Sequence, residues 1–162
     1  MRFNDSQQGF SLIELLIVVA VIGIIAAIAI PNMLASRRAA NEGAALSAMR
    51  SLHSAQVTYL NTAGSGDYGT LAALGTERLV DPDLGAGTRS GYTFDCPAGN
   101  ITDGPPPTYF ASAVPTSTAG VARTGHRTFA VSDDGRIRGK VTDAAPANYA
   151  AATNNGTWPV LN

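Results

Sequence analysis

The chain has few of the residues from which several kinds of functional site are built. Cys96 is its single cysteine, so no disulfide can form within the chain and a cysteine-based zinc site is excluded. Lys140 is its single lysine, no block of basic residues is present, and charged residues make up only 14% of the sequence. This composition does not predict a nucleic-acid-binding protein.

Local signatures of an enzyme are also missing. The sequence contains Cys96, His53, His126 and many serines, but no nucleophile elbow or other catalytic pattern surrounds them. His53 falls on or beside the apolar stripe of a predicted helix, where a packed histidine is more common than a ligand. We therefore expect neither an enzyme nor a catalytic residue.

What the chain does have is one long apolar segment near its N-terminus. From Leu12 to Ile30 every residue is apolar except Glu14, and no charge occurs from Leu15 to Ser36. At roughly 1.5 Å per residue, this charge-free stretch makes a helix about 33 Å long, which can cross a hydrocarbon core of about 30 Å. Because the segment is apolar all round, we expect lipid or other apolar helices to surround it.

Three interpretations compete for this segment. A secretory signal peptide would be cleaved at a site such as Ala27–Ala29. Against this, the apolar run is long, and the one positive charge before it, Arg2, is balanced by the negative charge of Asp5. A plain transmembrane anchor leaves Glu14 unexplained, because an acidic residue at the centre of a span costs about 2.5–3.5 kcal/mol. The third interpretation gives Glu14 a function.

Glu14 lacks a cationic partner nearby in the sequence. No lysine, arginine or histidine lies within two helical turns of it. Cleavage of the chain before Phe10 would create an amine one turn away, about four residues, or within reach of the Glu14 of a neighbouring copy. The carboxylate is thus explained in a helix that is processed and self-associates.

The stretch Gly9–Leu15, followed at once by the apolar run, closely resembles the processing motif of type IV pilins and type II secretion pseudopilins. The resemblance implies that a membrane peptidase cleaves after Gly9 and that Phe10 is then N-methylated. It implies that Glu14 pairs with the N-terminal amine of an adjacent subunit during filament assembly. Gly23 and Pro31 fall where helices of this family loosen on packing into a filament. This position suits proline, which has no backbone N–H to donate to a helical hydrogen bond.

The resemblance also implies partners and a location. We expect a homo- or hetero-oligomeric filament with other pilins, a prepilin peptidase, an inner-membrane assembly platform, and membrane lipid before assembly. The protein should reside in the bacterial inner membrane and then in a cell-surface pilus or a periplasmic pseudopilus. Arg37 and Arg38 follow the span on the implied outer side, against the positive-inside tendency. The alternative is a monomeric, membrane-tethered periplasmic binding domain.

These features divide the chain into four predicted parts. Residues 1–9 are a leader, 10–31 a transmembrane and filament-core helix, 32–62 the amphipathic half of the same helix, and 63–162 a globular domain. The amphipathic half carries one stripe at three- and four-residue steps. Its members are Ala45, Leu46, Met49, Leu52, His53, Gln56, Val57, Tyr59 and Leu60.

The globular part reads as short strands separated by turns. Strand candidates are Gly91–Asp95, Thr108–Ala113, Thr128–Ser132 and Arg136–Val141. Asp133–Gly135 predicts a hairpin turn, because glycine supplies the positive φ that such turns need. We expect an α+β, pilin-like fold with one long N-terminal helix packed on one face of a three- or four-stranded antiparallel sheet, and irregular loops at residues 114–126 and 142–162.

The resemblance also bears on metal binding. Some major pseudopilins bind calcium in a C-terminal loop, and the resemblance implies Asp133 and Asp134 as the candidate residues for such a site here. The sequence has no EF-hand spacing, and aspartate is also the ordinary residue of turns. No other cofactor is expected.

Overall fold

The computed structural model describes residues 10–97 and 107–161. The predicted leader 1–9, with the cleavage residue Gly9, lies outside this range. The chain divides into two compact units, Met1–Ser36 and Arg37–Asn162.

A single helix, α1, runs from Leu12 to Asn61 and contributes to both units. Its end at Asn61 agrees with the predicted end near residue 62. The helix stops there because the residues that follow include glycine and positions with positive φ. Ser65 has a φ of 51° and Gly66 a φ of 99°, and the N–H of Gly64 donates to the carbonyl of Tyr59 at 2.8 Å. This bond satisfies a carbonyl of the last turn that no longer has a helical partner.

The second unit contains a five-stranded antiparallel sheet whose strands lie in chain order. The α+β fold expected from the sequence is therefore confirmed, with one strand more than the expected three or four. The extra strand has only two residues, too few for an alternating pattern to show. The strands are β1 Thr88–Arg89, β2 Tyr92–Asp95, β3 Phe110–Pro115, β4 Thr128–Ser132 and β5 Ile137–Lys140.

Three short helices complete this unit: α2 Leu71–Thr76, α3 Pro82–Gly85 and α4 Tyr149–Thr153. Each begins after a side-chain cap, in which Thr70, Asp81 or Asn148 accepts a backbone N–H bond. The sequence predicted an irregular loop at α4. A short alanine run after an asparagine cap is enough to form α4.

The core lies between α1 and one face of the sheet. Ala45, Met49, Leu52 and Gln56 are buried as the stripe predicted, whereas Val57 is 41% exposed. Alanines at positions 48 and 55, together with Glu42, are buried in addition. Small alanine side chains let the sheet approach the helix closely, so the buried face includes positions that hydrophobicity alone did not select.

The opposite face of the sheet is also covered, which corrects the expectation of a sheet buried on one face. Phe110, Ala130, Ala152 and Trp158 form a second buried cluster, to which α4 contributes. The C-terminal segment also pairs with β5: the N–H of Gly139 donates to the carbonyl of Pro159 at 3.0 Å. Strand β4 is consequently buried at every position, a pattern that alternation does not reveal.

A buried polar contact joins α1 to the loop after it. The side-chain amide of Gln56 donates to the carbonyl of Gly69 at 2.6 Å and accepts from its N–H at 3.0 Å. The same amide nitrogen lies 3.1 Å from the sulfur of Cys96. All polar atoms of this buried glutamine side chain are thus used, which is the condition for burying an amide without loss of stability.

The thiol of Cys96 is expected to be unreactive in the folded chain. Burial raises its pKa to about 12, and the hydrogen bond from Gln56 only partly opposes this rise. Because the thiolate is the nucleophile, disulfide-exchange reagents should label native protein at pH 8 at least about a hundredfold more slowly than protein in urea. Equal labelling rates in the two states would contradict the buried position.

Candidate functional site

The first unit exposes an unbroken apolar surface. Large apolar side chains from Phe10 to Met33 are between 49% and 88% exposed in the isolated chain. A soluble monomer rarely exposes a contiguous apolar patch of more than a few hundred Å². The helix has an 18-residue window with a mean hydropathy of 3.1, long and apolar enough by length and composition to cross a membrane. This surface therefore requires lipid or other protein around it.

Glu14 lies in the first turn of this surface. Helix α1 begins at Leu12, and the N–H groups of Glu14 and Leu15 both donate to the carbonyl of Ser11, at 3.1 and 3.2 Å. A carboxylate in the first turn is favoured by the helix dipole. Glu14 is exposed and takes part in none of the ion pairs found among residues 10–97 and 107–161. The carboxylate is consequently available to a group outside the folded chain.

Phe10 lies just before the helix and is 88% exposed. The structure thus places the predicted methylation residue and Glu14 at the same end of the apolar surface. The predicted roles of both residues in processing and assembly remain predictions.

Gly23 and Pro31 both lie inside α1. A Cβ atom at Gly23 would meet nothing within 4 Å, so packing within the chain does not require glycine there. Pro31 has no N–H to donate to the carbonyl of Ala27, which weakens the helix at that turn. Neither residue is explained by the isolated fold, and their predicted role in helix loosening stays a prediction.

Asp133 and Asp134, the residues named for a calcium site, lie in the turn between β4 and β5. Asp134 accepts from the guanidinium of Arg138 at 2.6 and 3.1 Å, and Arg138 is only 3% exposed. Asp133 has one buried carboxylate oxygen without a hydrogen-bond partner in the described structure. The arginine thus occupies both oxygens of Asp134, and calcium binding by the two aspartates stays a prediction. Within the described ranges, no group of three or more His, Cys, Asp and Glu side chains could hold a metal ion.

Glu42 is a residue that sequence reasoning missed. It was placed off the apolar stripe, but it is only 9% exposed. Its carboxylate accepts from the backbone N–H of His126 at 2.7 Å and from the guanidinium of Arg127 at 2.9 Å. Both partners lie more than eighty residues away along the chain, so no local pattern could have indicated the contact.

Comparison with known proteins identifies the same N-terminal segment. A family model described as "Prokaryotic N-terminal methylation motif" matches residues 4–30, which include Phe10 and Glu14. The type IV major pilin protein PilA of Myxococcus xanthus is 36% identical over 120 residues, which cover 70% of this chain and 50% of that protein. The chain thus carries this motif and is similar to type IV pilins and to a type II secretion component.

Further relatives come from both branches of the pilin and pseudopilin family. The type II secretion system core protein G of Escherichia coli is 34% identical over 59 residues, covering 36% of this chain and 41% of that protein. The type IV wide pilus major component PilA4 of Thermus thermophilus is 63% identical over 35 residues, covering 22% of this chain and 27% of that protein.

The chain spans about half the length of the first of these pilins and less of the other two relatives. No solved structure shows a significant match. The relatives bear the names of pilus and secretion components, which is consistent with the expectation that this chain is not an enzyme.

Proposed function

We propose that the chain is a structural subunit of a type IV pilus or a type II secretion pseudopilus, assembled through the apolar half of α1. The observation that carries the proposal is the exposed apolar surface of residues 10–33, with Glu14 at its beginning. One chain cannot cover this surface, whereas lipid can cover it before assembly and copies of the same helix can cover it afterwards. Relatives from a pilus and from a secretion system support both forms of filament.

The proposed processing supplies the missing partner of Glu14. Cleavage after Gly9 by a prepilin peptidase leaves the amine of Phe10, which is then N-methylated and remains positively charged. Within an apolar filament core, an ion pair between this amine and the Glu14 of the neighbouring subunit neutralises two charges that would otherwise be buried alone. The match of residues 4–30 to the methylation motif supports this scheme.

The remaining parts of the proposal follow from the same helix. The inner-membrane assembly platform would draw the subunit out of the lipid into the growing filament. Gly23 and Pro31 are proposed to let the helix loosen as it packs against other copies, because packing within the chain does not require glycine at position 23 and Pro31 lacks a helical N–H. The filament then lies at the cell surface or in the periplasm.

Mass spectrometry of the protein isolated from its native membrane tests the processing. The expected N-terminus is Phe10 carrying one additional methyl group, since the motif directs both cleavage and methylation. A chain that retains Met1, or one that begins at Ile30 or Pro31 as a signal-peptide cleavage would leave it, would contradict the proposal. A Gly9→Leu variant serves as the control and should retain its leader.

The alternative is a monomeric periplasmic binding domain that the helix merely tethers. A polar surface cleft of about 480 Å³ lies beside the β1–β2 turn, and Arg89 in its lining is paired with Asp81. The cleft is open to solvent and lacks the apolar enclosure of a small-molecule site. The alternative makes Glu14 dispensable, so a substitution of Glu14 separates the two functions.

A further inference from the structure

The long loop between β3 and β4 is fastened to the part of α1 that directly follows the apolar stretch. The guanidinium of Arg38 donates to the carbonyls of Gly120 and Arg123, each at 3.2 Å. The side-chain amide of Asn41 donates to the carbonyl of Thr124 at 2.9 Å. The loop is therefore held beside the residues at which the second unit begins.

The end of β5 lies at the same place. Lys140 is paired with Thr128 at the start of β4, immediately after the loop. Arg123 in the loop forms an ion pair of 3.0 Å with Asp143, three residues beyond Lys140. The loop tip and the end of β5 thus lie close to Arg38, which follows Arg37 directly in the chain. We name Arg37, Arg38, Val121, Lys140 and Val141 the basal surface.

The basal surface combines exposed apolar tips with unneutralised positive charge. Val121 is 75% and Val141 74% exposed, whereas Val57 is the next most exposed large apolar side chain described in this unit, at 41%. Among the ion pairs of residues 10–97 and 107–161, none includes Arg37, Arg38 or Lys140. The nearby carboxylates of Glu42 and Asp143 are each paired with an arginine.

We propose that the basal surface contacts the headgroups of an anionic phospholipid leaflet while the subunit is anchored, before it enters the filament. The apolar stretch ends at Ser36, so Arg37 and Arg38 lie at headgroup level when that stretch spans the bilayer. Arginine, lysine and single apolar tips are the residues that bind such an interface. The inference rests on the membrane anchoring that the proposed function includes.

The proposal also accounts for the two arginines on the outer side of the span. The charge of Arg38 is used to hold the folded loop through backbone carbonyls, and that of Arg37 faces lipid phosphate. A second copy of the chain is the other candidate occupant of this surface. A second copy would shield Val121 only in filaments, whereas lipid shields it in the unassembled subunit.

A quenching experiment on the full chain in vesicles tests the lipid contact. Val121→Cys and Val141→Cys are labelled with an environment-sensitive fluorophore, which the buried thiol of Cys96 does not take up. Vesicles contain phosphatidylcholine alone, or phosphatidylcholine and phosphatidylglycerol in equal parts, with a spin-labelled headgroup lipid as quencher. We expect several-fold stronger quenching at both positions than at the exposed control Ala63→Cys, which follows the end of α1, and more in the anionic vesicles.

Removal of two positive charges tests whether electrostatic attraction to the anionic lipid contributes to the contact. Arg37→Gln combined with Lys140→Gln should reduce quenching at position 121 in anionic vesicles, whereas Arg78→Gln combined with Arg136→Gln, which removes the same charge elsewhere, should not. Quenching at position 121 no stronger than at 63, or shielding that arises only in assembled filaments, would overturn the proposal and leave the filament function intact. Failure of the chain to float with vesicles would overturn both.

Discussion

Replacing Glu14 by leucine should abolish filament assembly while the chain is still inserted and cleaved. Leucine has a similar size and removes a charge that is unfavourable within a membrane span, so insertion should not suffer. In the filament, however, the amine of Phe10 would be buried without a partner. Breaking a buried ion pair by removing one member costs about 3–5 kcal/mol, and this penalty recurs at every subunit.

The yields of chain in the sheared filament fraction and in the membrane fraction measure this effect. The matched control is Glu77→Leu, which removes an exposed carboxylate from the second unit and should assemble normally. The N-terminus of the Glu14→Leu protein should still be methylated Phe10. Normal filament yield from this variant would favour the tethered binding domain, in which the helix serves only as an anchor.

Replacing Asp134 by alanine should strongly destabilise the globular unit. Arg138 is 3% exposed, and it also donates to Ser132 at 3.1 Å and to Asn155 at 3.0 Å, so it ties β5 to the turn and to the C-terminal segment. Loss of the carboxylate leaves a buried guanidinium without its counter-ion. Because Asp134 itself is about one third exposed, we expect a loss of about 2–3 kcal/mol rather than the full cost of a buried pair.

Fluorescence of Trp158 reports this change during denaturant unfolding of the full chain in detergent. It is the single tryptophan of the chain and lies in the buried cluster with Phe110, Ala130 and Ala152. The control is Asp143→Ala, which breaks the more exposed pair with Arg123 and should cost less than about 1 kcal/mol. Equal effects of the two substitutions would show that burial of Arg138 has no energetic consequence.

Acid should act through the same carboxylate. Burial by itself would raise the pKa of Asp134, but hydrogen bonds from Arg138, Ser132 and the Arg136 N–H outweigh it and hold the pKa at about 2. The folded chain thus binds this proton less readily than the unfolded chain, whose pKa is near 3.8. The stabilisation is full above about pH 4 and is lost as the pH falls through about 2. In Asp134→Asn, this part of the pH dependence should be absent.

Features with a local signal could be predicted from the sequence. The apolar run, the break after Asn61 and the turn before Gly135 each depend on neighbouring residues, and Gly135 has the φ of 70° that the turn requires. The same is true of the processing motif, which occupies a few consecutive positions. The helix, the strand β4 and the similarity to pilins could therefore be predicted.

Features that depend on distant partners could not. Arg138 falls in a predicted strand, and a charged side chain there is ordinarily exposed, but α4 and the C-terminal segment cover that face of the sheet. By its spacing Glu42 belongs to the solvated face of the helix, but the loop that carries Arg127 covers it. Burial of charged side chains such as these is decided by tertiary contacts, which residue spacing does not encode.

The proposed site differs from both groups, because its partners are not part of the folded chain. Sequence identified Glu14 and Phe10, and the structure adds that the surface they begin is exposed along its whole length. The contacts that would satisfy it arise only when subunits meet. The isolated fold therefore shows what must be covered without containing the covering groups.

The most direct measurement is the distance between the Phe10 amine and the nearest Glu14 carboxylate in a reconstruction of filaments that contain this chain. The account predicts that each amine lies within ion-pair distance, about 4 Å, of the Glu14 of a neighbouring subunit. Filaments in which Glu14 instead faces solvent or another cation, with the amine of Phe10 elsewhere, would contradict it.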